Sequence, residues 1–245
     1  MTEEHDASAY GGHVAGDYDA IYEDAFDTES AVDCLFDLAD GGPILELGVG
    51  TGRLALPLAA RGLSVHGIDG SSEMLTILRD KPGGEGIATT LGDFAETRLA
   101  AGQFALVVLA INTIYALADQ DAQVRCFATA AHHLRPGGRF VVEAWVPEPL
   151  PPGDSLRPRR LSPGYTGLVV ANHDPSTQTL ATTQIVIGGT QGIRAFPVVH
   201  RYAWPSELDL MARLAGLTRE ARWSDWRGTP FGATSTNHVS VYRRP

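Results

Sequence analysis

Cysteine is scarce in this chain of 245 residues, which contains only Cys34 and Cys126. Two cysteines this far apart do not form the framework of a disulfide-stabilised protein, so we expect both to be reduced packing residues in helices. Long apolar segments are also missing: the sequence contains no run of 18 apolar residues, the length needed to cross a membrane, and no signal-peptide pattern is visible. The sequence therefore predicts a soluble, cytoplasmic protein that does not bind a membrane.

Basic residues are few as well, with 19 lysines and arginines against 29 aspartates and glutamates, which gives a formal net charge of −10. A nucleic-acid partner would require a basic stripe along the surface. The only basic run, Arg157, Arg159 and Arg160, is short and is interpreted as part of a solvated loop. The composition argues against nucleic acid as a partner and is compatible with a cationic, amine-bearing small molecule.

Metal-ligand spacings are absent from the sequence, so we predict no metal site. The adjacent His132 and His133 would lie on different faces of a helix, where they cannot share an ion. No histidine occupies a position that identifies it as a catalytic base, although six stay open as candidates: His13, His132, His133, His173, His200 and His238.

The most informative segment, residues 44–52, reads Ile-Leu-Glu-Leu-Gly-Val-Gly-Thr-Gly. Three glycines on alternate positions directly after a buried-strand pattern let the backbone turn tightly and approach a ligand closely. A second apolar run, residues 63–68, ends at Asp69, whose carboxylate can accept hydrogen bonds from a ribose diol. The pair of strands predicts a site for an adenosine-bearing cofactor.

The glycine spacing separates two classes of cofactor. The nicotinamide fingerprint is G-x-G-x-x-G, with a pyrophosphate on a helix N-terminus, whereas the third glycine here, Gly52, comes one residue early. Glu46 at the end of the strand would repel a pyrophosphate and suits the cationic group of an amino acid. We therefore expect no appreciable binding of NAD.

Further motifs follow in a fixed order. Residues 91–94, Leu-Gly-Asp-Phe, end a third strand; residues 104–109 form a fourth; and the turn at 134–139 leads into a fifth at 140–143. Helices are predicted between them, over residues 29–39, 53–61, 72–79 and 119–134, so the strands should be parallel. From about residue 40 to 145 the chain resembles the class I S-adenosylmethionine-dependent methyltransferases.

The resemblance implies an α/β fold, a Rossmann-like seven-stranded methyltransferase sheet, here with an antiparallel β insertion after strand five. It implies S-adenosylmethionine as the cofactor and S-adenosylhomocysteine as its product. The implied cofactor-binding residues are Tyr18, Glu46, Gly48, Gly50, Gly52, Arg53, Asp69, Gly70, Met74, Asp93, Phe94 and Ala110.

After Pro147 the pattern changes from alternating strands and helices to β-rich runs at 167–172, 179–187 and 193–204, separated by turn sequences. We expect this antiparallel insertion to cover the acceptor pocket or to form an oligomer contact, because it leaves the carboxyl end of strand five. A helix over 206–215 with Ser206 as its N-cap, ended by Gly216, precedes two last strands at 218–226 and 239–243. The predicted divisions are 1–28 (a lid), 29–146 (the cofactor-binding core), 147–204 (the insertion) and 205–245 (the end of the core).

Aromatic residues mark the acceptor side. Tyr10 and Tyr18 belong to a segment that resembles the family's lid, within which a helix is predicted over 19–26 and Tyr22 is expected to pack. Tyr115 follows strand four, beside the expected position of the transferred methyl group. We predict Tyr10, Tyr18 and Tyr115 as catalytic residues, with either the Tyr115 hydroxyl or water as the proton acceptor. The predicted substrate-binding residues are Tyr10, Tyr115, Glu143, Trp145 and Arg201.

Glu143-Ala144-Trp145 at the end of strand five, with an aromatic residue after strand four, resembles small-molecule N-methyltransferases that act on amino sugars and lincosamide-like antibiotics. The preferred hypothesis is N-methylation of an amine in a natural product or antibiotic precursor. O-methylation of a hydroxylated metabolite stays open, as does a protein that binds S-adenosylmethionine without transferring its methyl group.

Overall fold

The computed structural model describes residues 26–148, 150–160, 165–188 and 192–245. The predicted lid tyrosines, Tyr10, Tyr18 and Tyr22, lie outside the described residues, as do His13 and all but the last residue of the helix predicted over 19–26. The division of the chain into a lid, a core and an insertion at the boundaries given above therefore stays a prediction.

The described residues form helices and strands in the alternation that the sequence predicts. The α-helices are α1 (Thr28–Ala39), α2 (Ala55–Ala60), α3 (Ser72–Asp80), α4 (Gln120–His133) and α5 (Pro205–Leu214). The strands are β1 (Ile44–Leu47), β2 (Val65–Asp69), β3 (Ala88–Leu91), β4 (Phe104–Leu109), β5 (Leu134–Trp145), β6 (Gly153–Arg160), β7 (Tyr165–Asp174), β8 (Thr179–Gly188), β9 (Ile193–Arg201), β10 (Thr218–Trp223) and β11 (Asn237–Arg243).

Seven strands form the main sheet in the order β3-β2-β1-β4-β5-β11-β10. Strands β1 to β5 are parallel, and β11 pairs antiparallel with both β5 and β10. The strand order reverses between β1 and β4, and ligands of open α/β sheets bind at such a point, beyond the carboxyl ends of the strands. The predicted seven-stranded sheet is confirmed.

Helices cover both faces of the main sheet, and β4 shows why the strand is apolar throughout. Phe104, Val107 and Leu109 pack into a cluster with α4 and α5. Leu106 and Val108, on the opposite face, pack into a second cluster with α1, α2 and α3. Burial on both faces is typical of a parallel sheet and accounts for the continuous hydrophobic run.

The predicted antiparallel insertion is a separate four-stranded sheet in the order β6-β7-β8-β9. Its last three strands match the three predicted runs, but β6 replaces the loop that the sequence predicts from Pro158 and its three arginines. β6 is an outer strand of this sheet, where proline is tolerated. The other outer strand, β9, contains Pro197.

Several predicted boundaries are wrong; β10, for example, ends at Trp223, whereas the sequence predicts a strand up to residue 226. Ser206 is not the N-cap of α5: the helix begins at Pro205 with Trp204 as its cap, and no side chain bonds the cap position. Proline is favoured at the first helical position because its missing N–H has no partner there in any helix. Strand β5 begins at Leu134 rather than at 140, because Leu134 already pairs with Phe104 of β4, and Arg139 pairs with Leu106 of β4 and with Arg243 of β11.

No helix within the described residues is long and apolar enough to cross a membrane.

Candidate active site

The glycine turn after β1 lies at the carboxyl edge of the main sheet, with Gly48, Gly50 and Gly52 all at positive φ. A Cβ atom at Gly48 would lie 2.7 Å from Cγ2 of Thr113, so a larger residue would push the loop after β4 away. A Cβ atom at Gly50 would meet none of the described atoms within 4 Å. The backbone at Gly50, with φ of +54°, therefore borders open space into which a ligand can fit.

Asp69, at the end of β2, joins the glycine turn to the start of α3. Its carboxylate accepts hydrogen bonds from the backbone N–H groups of Gly50 (2.8 Å) and Ser71 (2.9 Å). Burial raises the pKa of Asp69 above its usual value, and the backbone N–H groups oppose that shift. Each carboxylate oxygen has a further lone pair, so the side chain can also accept hydrogen bonds from a ligand diol.

Glu46, in β1, is a buried acid with a free oxygen. Its side chain is 5% exposed, and Oε2 has no hydrogen-bond partner among the described residues. Burial raises the pKa of Glu46 to about 8, while the charge of Arg53 lowers it. A buried carboxylate without a partner is costly in a folded protein, so this oxygen points to a cationic group of a ligand.

Arg53 supplies the opposite charge on the same turn. Its Nη1 donates to Oγ1 of Thr28 (3.1 Å), and the guanidinium lies 5.2 Å from the ring centroid of Phe26. The Nε of Arg53 is buried and has no hydrogen-bond partner within the described part of the chain. Glu46 and Arg53 together present one acidic and one basic group, which complements the ammonium and carboxylate of an amino acid.

Asp93 and Phe94, two of the predicted cofactor-binding residues, follow the end of β3. Asp93 is exposed, and its Oδ1 accepts a hydrogen bond from the N–H of Ala95 (2.8 Å), whereas Phe94 packs into the core. The contacts predicted for these side chains with a cofactor stay predictions, as do those of Gly70, Met74 and Ala110.

The partly buried Glu143, in β5, bonds to two other parts of the chain. Its Oε2 accepts from the N–H of Ile111 (2.9 Å), and its Oε1 accepts from the indole N–H of Trp226 (2.6 Å). Both oxygens are engaged in bonds to the protein itself. The carboxylate therefore holds the loop that follows β4, and a contact of Glu143 with the substrate stays a prediction.

Tyr115 is also placed differently from its predicted role. Its ring is fully buried, and its hydroxyl donates towards the carbonyl oxygens of Trp145 (2.9 Å) and Ala203 (2.8 Å). Burial raises the pKa of the Tyr115 hydroxyl well above its usual value, so the phenol stays protonated. The geometry contradicts a role as proton acceptor and gives Tyr115 the role of joining the β4 loop to the segment before α5.

Arg201, predicted to contact the substrate, is instead buried in a polar network. Its guanidinium donates to Oε1 of Gln123 (2.6 Å) and to Oε1 of Glu207 (2.7 Å). These bonds join the end of β9 to α4 and α5. The charge of Arg201 is already neutralised within the protein, so the structure does not offer it to a substrate.

Trp145, the last residue of β5, lies among aromatic rings, and its predicted contact with the substrate stays a prediction. Its ring is partly buried, 4.8 Å from the ring of Tyr115 and 5.9 Å from that of Tyr202 by centroid distance. The hydroxyl of Tyr202 is 2.9 Å from Nε2 of His173. The sequence singled out Tyr202 only by its place beside Arg201 and left His173 unassigned, because the contact between residues of β7 and the end of β9 depends on the register of the second sheet.

Comparisons with known proteins identify the fold and the family. Residues 44–138 match the model of a methyltransferase domain. The structure of the CcbJ methyltransferase from Streptomyces caelestis is 41% identical in sequence and superposes with a TM-score of 0.89, over 98% of this chain and 99% of that one. The cypemycin N-terminal methyltransferase of a Streptomyces species is 28% identical over 208 residues, 84% of each chain.

A more distant structure has the same fold. The SAM-bound structure of CalS10, an amino pentose methyltransferase from Micromonospora echinaspora, is 22% identical and superposes with a TM-score of 0.67, over 91% of this chain and 96% of that one.

The residues at the carboxyl edge of the main sheet fit S-adenosylmethionine. Its amino-acid end matches the unpartnered Glu46 oxygen and Arg53, its ribose matches Asp69, and the open space at Gly50 leaves room for the ligand beside the backbone. The chain belongs to the S-adenosylmethionine-dependent methyltransferases, and S-adenosylmethionine is its cofactor.

Proposed function

We propose that the protein transfers a methyl group to the nitrogen of a small-molecule amine in the biosynthesis of a natural product. The observation that carries the choice of nitrogen is the likeness, over 84% of both chains, to an enzyme whose name specifies an N-terminal acceptor, which is an amine. The formal net charge of −10 supports the same choice, since an acidic protein attracts a cationic acceptor.

Three residues are proposed to bind three different parts of the cofactor. We assign Glu46 to the ammonium of the amino-acid end, Arg53 to its carboxylate and Asp69 to the ribose diol. The buried position of Glu46 strengthens its interaction with a cation, because little water competes for the charge. These contacts fix the orientation of the reacting end.

S-adenosylmethionine supplies a methyl group that is already strongly electrophilic. The protein's contribution is then to align the acceptor and to exclude water, and such orientation can be worth roughly 7–11 kcal/mol. An amine must be neutral to react, and its proton leaves only after the transfer, so water can take it. No strong base is required.

The histidines of the described residues are compatible with that chemistry. His66 bonds Thr90, His132 and His133 both bond Leu99, and His238 bonds Ser240. Burial lowers the pKa of His133 to about 4 and that of His238 to about 3. Both rings are therefore neutral at physiological pH and serve as packing and hydrogen-bonding groups.

Incubation with S-adenosylmethionine and matched panels of amines and hydroxylated metabolites tests the proposal. Acceptors are selected by thermal shift in the presence of S-adenosylhomocysteine, and the product's NMR spectrum locates the new methyl group. We expect it on nitrogen, with a rate that rises with pH until the amine is largely neutral. A methyl group on oxygen would overturn the choice of nitrogen in favour of O-methylation.

We also propose that two copies of the chain associate through one face of the four-stranded sheet. The pairing register places Leu156, Val170, Ile187, Ile193 and Val199 on the same face. Leu156 is 64% exposed and Ile193 is 72% exposed. The apolar side chains in the middle of this face give two acidic copies an area where they can meet with little charge repulsion, and an exposed patch of this kind is typical of an interface.

Sedimentation of the Val170→Lys variant tests this association. A lysine in the middle of the face should shift the protein towards the monomer. The matched control, Leu214→Lys, changes another apolar, exposed residue, which lies on α5, and should leave the distribution unchanged. A wild-type protein that stays monomeric at all concentrations would contradict the proposed interface.

A further inference from the structure

The turn after β4 has an unfavourable backbone conformation. Ile111 and Asn112 are consecutive residues with φ of +48° and +60°. Asparagine adopts this left-handed conformation readily, whereas a β-branched residue such as isoleucine is strained in it. Such a conformation persists only where the surrounding structure holds it in place.

Strand β5 holds this turn at three points. The N–H of Ile111 donates to the Glu143 carboxylate (2.9 Å), and the N–H of Asn112 donates to the Glu143 carbonyl (3.1 Å). Oδ1 of Asn112 in turn accepts from the N–H of Trp145 (2.6 Å). The last two bonds use the backbone of β5, but the bond to Ile111 depends on how the Glu143 side chain is oriented.

Trp226 fixes that orientation. Its indole N–H donates to Oε1 of Glu143 at 2.6 Å, the distance of a strong charge-assisted hydrogen bond. The ring is buried and packs in the same cluster as the core residues of α1. Trp226 lies 83 residues after Glu143 in the chain, in the segment between β10 and β11, so nothing in the local sequence of either residue indicates the contact.

The turn is next to the cofactor-binding loop. Thr113 follows it directly, and its Cγ2 lies where a Cβ atom at Gly48 would be only 2.7 Å away. The Thr113 hydroxyl donates to the carbonyl of Ala110 (2.6 Å). A turn that relaxed towards the extended conformation would therefore move side chains against the glycine turn and the acceptor side.

We propose that Trp226 and Glu143 are positioning residues for methyl transfer: the indole N–H orients the carboxylate, and the carboxylate holds the left-handed turn at Ile111 and Asn112. Neither residue touches the reacting atoms. The effect on catalysis rests on the methyl transfer proposed above, whereas the hydrogen bonds and the turn can be measured without an acceptor.

The first experiment measures the contact directly with ¹⁵N-labelled protein. The chain has four tryptophans, and the indole N–H resonance that disappears in Trp226→Phe belongs to Trp226. In Glu143→Gln this resonance should move upfield, because a neutral amide accepts a weaker bond, and the Trp223 resonance should stay in place. An unmoved Trp226 resonance in Glu143→Gln would overturn the proposal.

The second experiment measures the turn by hydrogen exchange followed by mass spectrometry. In Trp226→Phe, exchange should increase in the segment 110–117, while exchange in β4 stays at the wild-type level. Trp223→Phe is the matched control, because Trp223 lines the same surface groove as Trp226 whereas the bond to Glu143 comes from Trp226. Equal exchange in segment 110–117 of both variants and the wild type would overturn the holding role.

The third experiment measures turnover with any acceptor that the panels identify, whether its methyl group is on nitrogen or on oxygen. Trp226→Phe should lower kcat roughly 10–100-fold through misalignment. The Kd of S-adenosylhomocysteine should change less than about threefold, which corresponds to less than about 0.7 kcal/mol of binding free energy. Ile111→Asn should restore several-fold of the lost kcat in the Trp226→Phe background, because asparagine adopts the left-handed conformation without help.

A general loss of folded protein would lower kcat without such a rescue. A wild-type kcat in Trp226→Phe, or the absence of any rescue by Ile111→Asn, would overturn the positioning role. A methyl group found on oxygen would instead overturn only the proposed acceptor, so the two failures are distinguishable.

Discussion

The two sheets of this protein differ in what they leave without a partner: the seven-stranded sheet leaves a buried polar atom, and the four-stranded sheet leaves exposed apolar side chains. In the seven-stranded sheet, helices cover both faces, and at its carboxyl edge the buried oxygen of Glu46 has no partner among the described residues. In the four-stranded sheet, one face leaves apolar side chains such as Ile193 in water. An unpartnered polar group inside a covered sheet indicates a ligand, whereas an uncovered apolar face indicates another protein surface.

Arg201 joins the four-stranded sheet to the helices on one face of the main sheet, by a buried ion pair to Glu207 of α5 and a bond to Gln123 of α4. Arg201→Ala would leave Glu207 without its cation, and breaking a buried pair typically costs about 3–5 kcal/mol of folding free energy. Chemical denaturation measures this loss. The control is Arg227→Ala, which breaks the exposed pair with Asp27 and should cost far less; equal losses would show that the joint between the four-stranded sheet and these helices is not a strong one.

Glu46 provides a pH test of the covered sheet. Burial raises its pKa from 4.5 to about 8. A carboxyl whose pKa is raised on folding stabilises the native state fully below its unfolded pKa, and this contribution is lost as pH rises towards the folded value. Relative to Glu46→Gln, the cofactor-free wild type should lose on the order of a few kcal/mol over that range.

The same residue should link cofactor binding to proton release. Below the raised pKa the bound ammonium favours the ionised carboxylate, so binding should expel a proton. Calorimetry in buffers of different ionisation enthalpy detects it. Identical pH dependence of unfolding in the wild type and in Glu46→Gln would show that Glu46 is not a strained acid.

The Tyr115→Phe variant tests whether the Tyr115 hydroxyl has a structural or a catalytic role. Removing the hydroxyl leaves the buried carbonyls of Trp145 and Ala203 without their donor, which should cost about 1–3 kcal/mol of stability. The pH dependence of kcat should keep its wild-type shape, because the phenol is not the proton acceptor. A variant of wild-type stability with a displaced pH profile would restore the catalytic role.

Alanine substitutions at Gly50 and Gly62 should have the smallest effect on stability, and the two positions serve as controls for each other. Both have positive φ, and at neither would a Cβ atom meet a described atom within 4 Å. Alanine at either position should therefore cost about 1 kcal/mol of stability from the backbone alone. Only Gly50→Ala should weaken cofactor binding, by roughly tenfold or more, since only its Cβ would enter the space beside Asp69. Equal cofactor affinities in the two variants would place the cofactor elsewhere.

The main sheet is predictable because its signals are local. The continuous apolar run of β4 is enough to predict a buried strand, and the glycines after β1 are enough to predict a tight turn. The helices predicted between the strands imply a parallel sheet. The insertion is predicted less completely. β6 escapes prediction because Pro158 and its arginines are typical of a loop unless the segment is known to lie on an outer strand.

The acceptor side is predicted worst, since residue type alone does not reveal partners far away in the sequence. Glu143 and Tyr115 have the chemistry of site residues, yet Trp226 and Ala203 occupy their polar atoms. One signal is available in Asn112, because asparagine after a strand is common where the backbone turns left-handed. Nothing in the sequence indicates that Ile111 shares that conformation.

The prolines in the outer strands of the four-stranded sheet limit the kinds of assembly that the protein can form. Pro158 and Pro197 each remove one N–H donor from an outer strand, which disfavours the addition of a further strand at that edge. Copies can stack face to face, whereas edge-to-edge growth into a fibril is disfavoured. Concentrated solutions of this protein should therefore contain closed assemblies of defined size, despite a sheet that leaves so many branched apolar side chains in water.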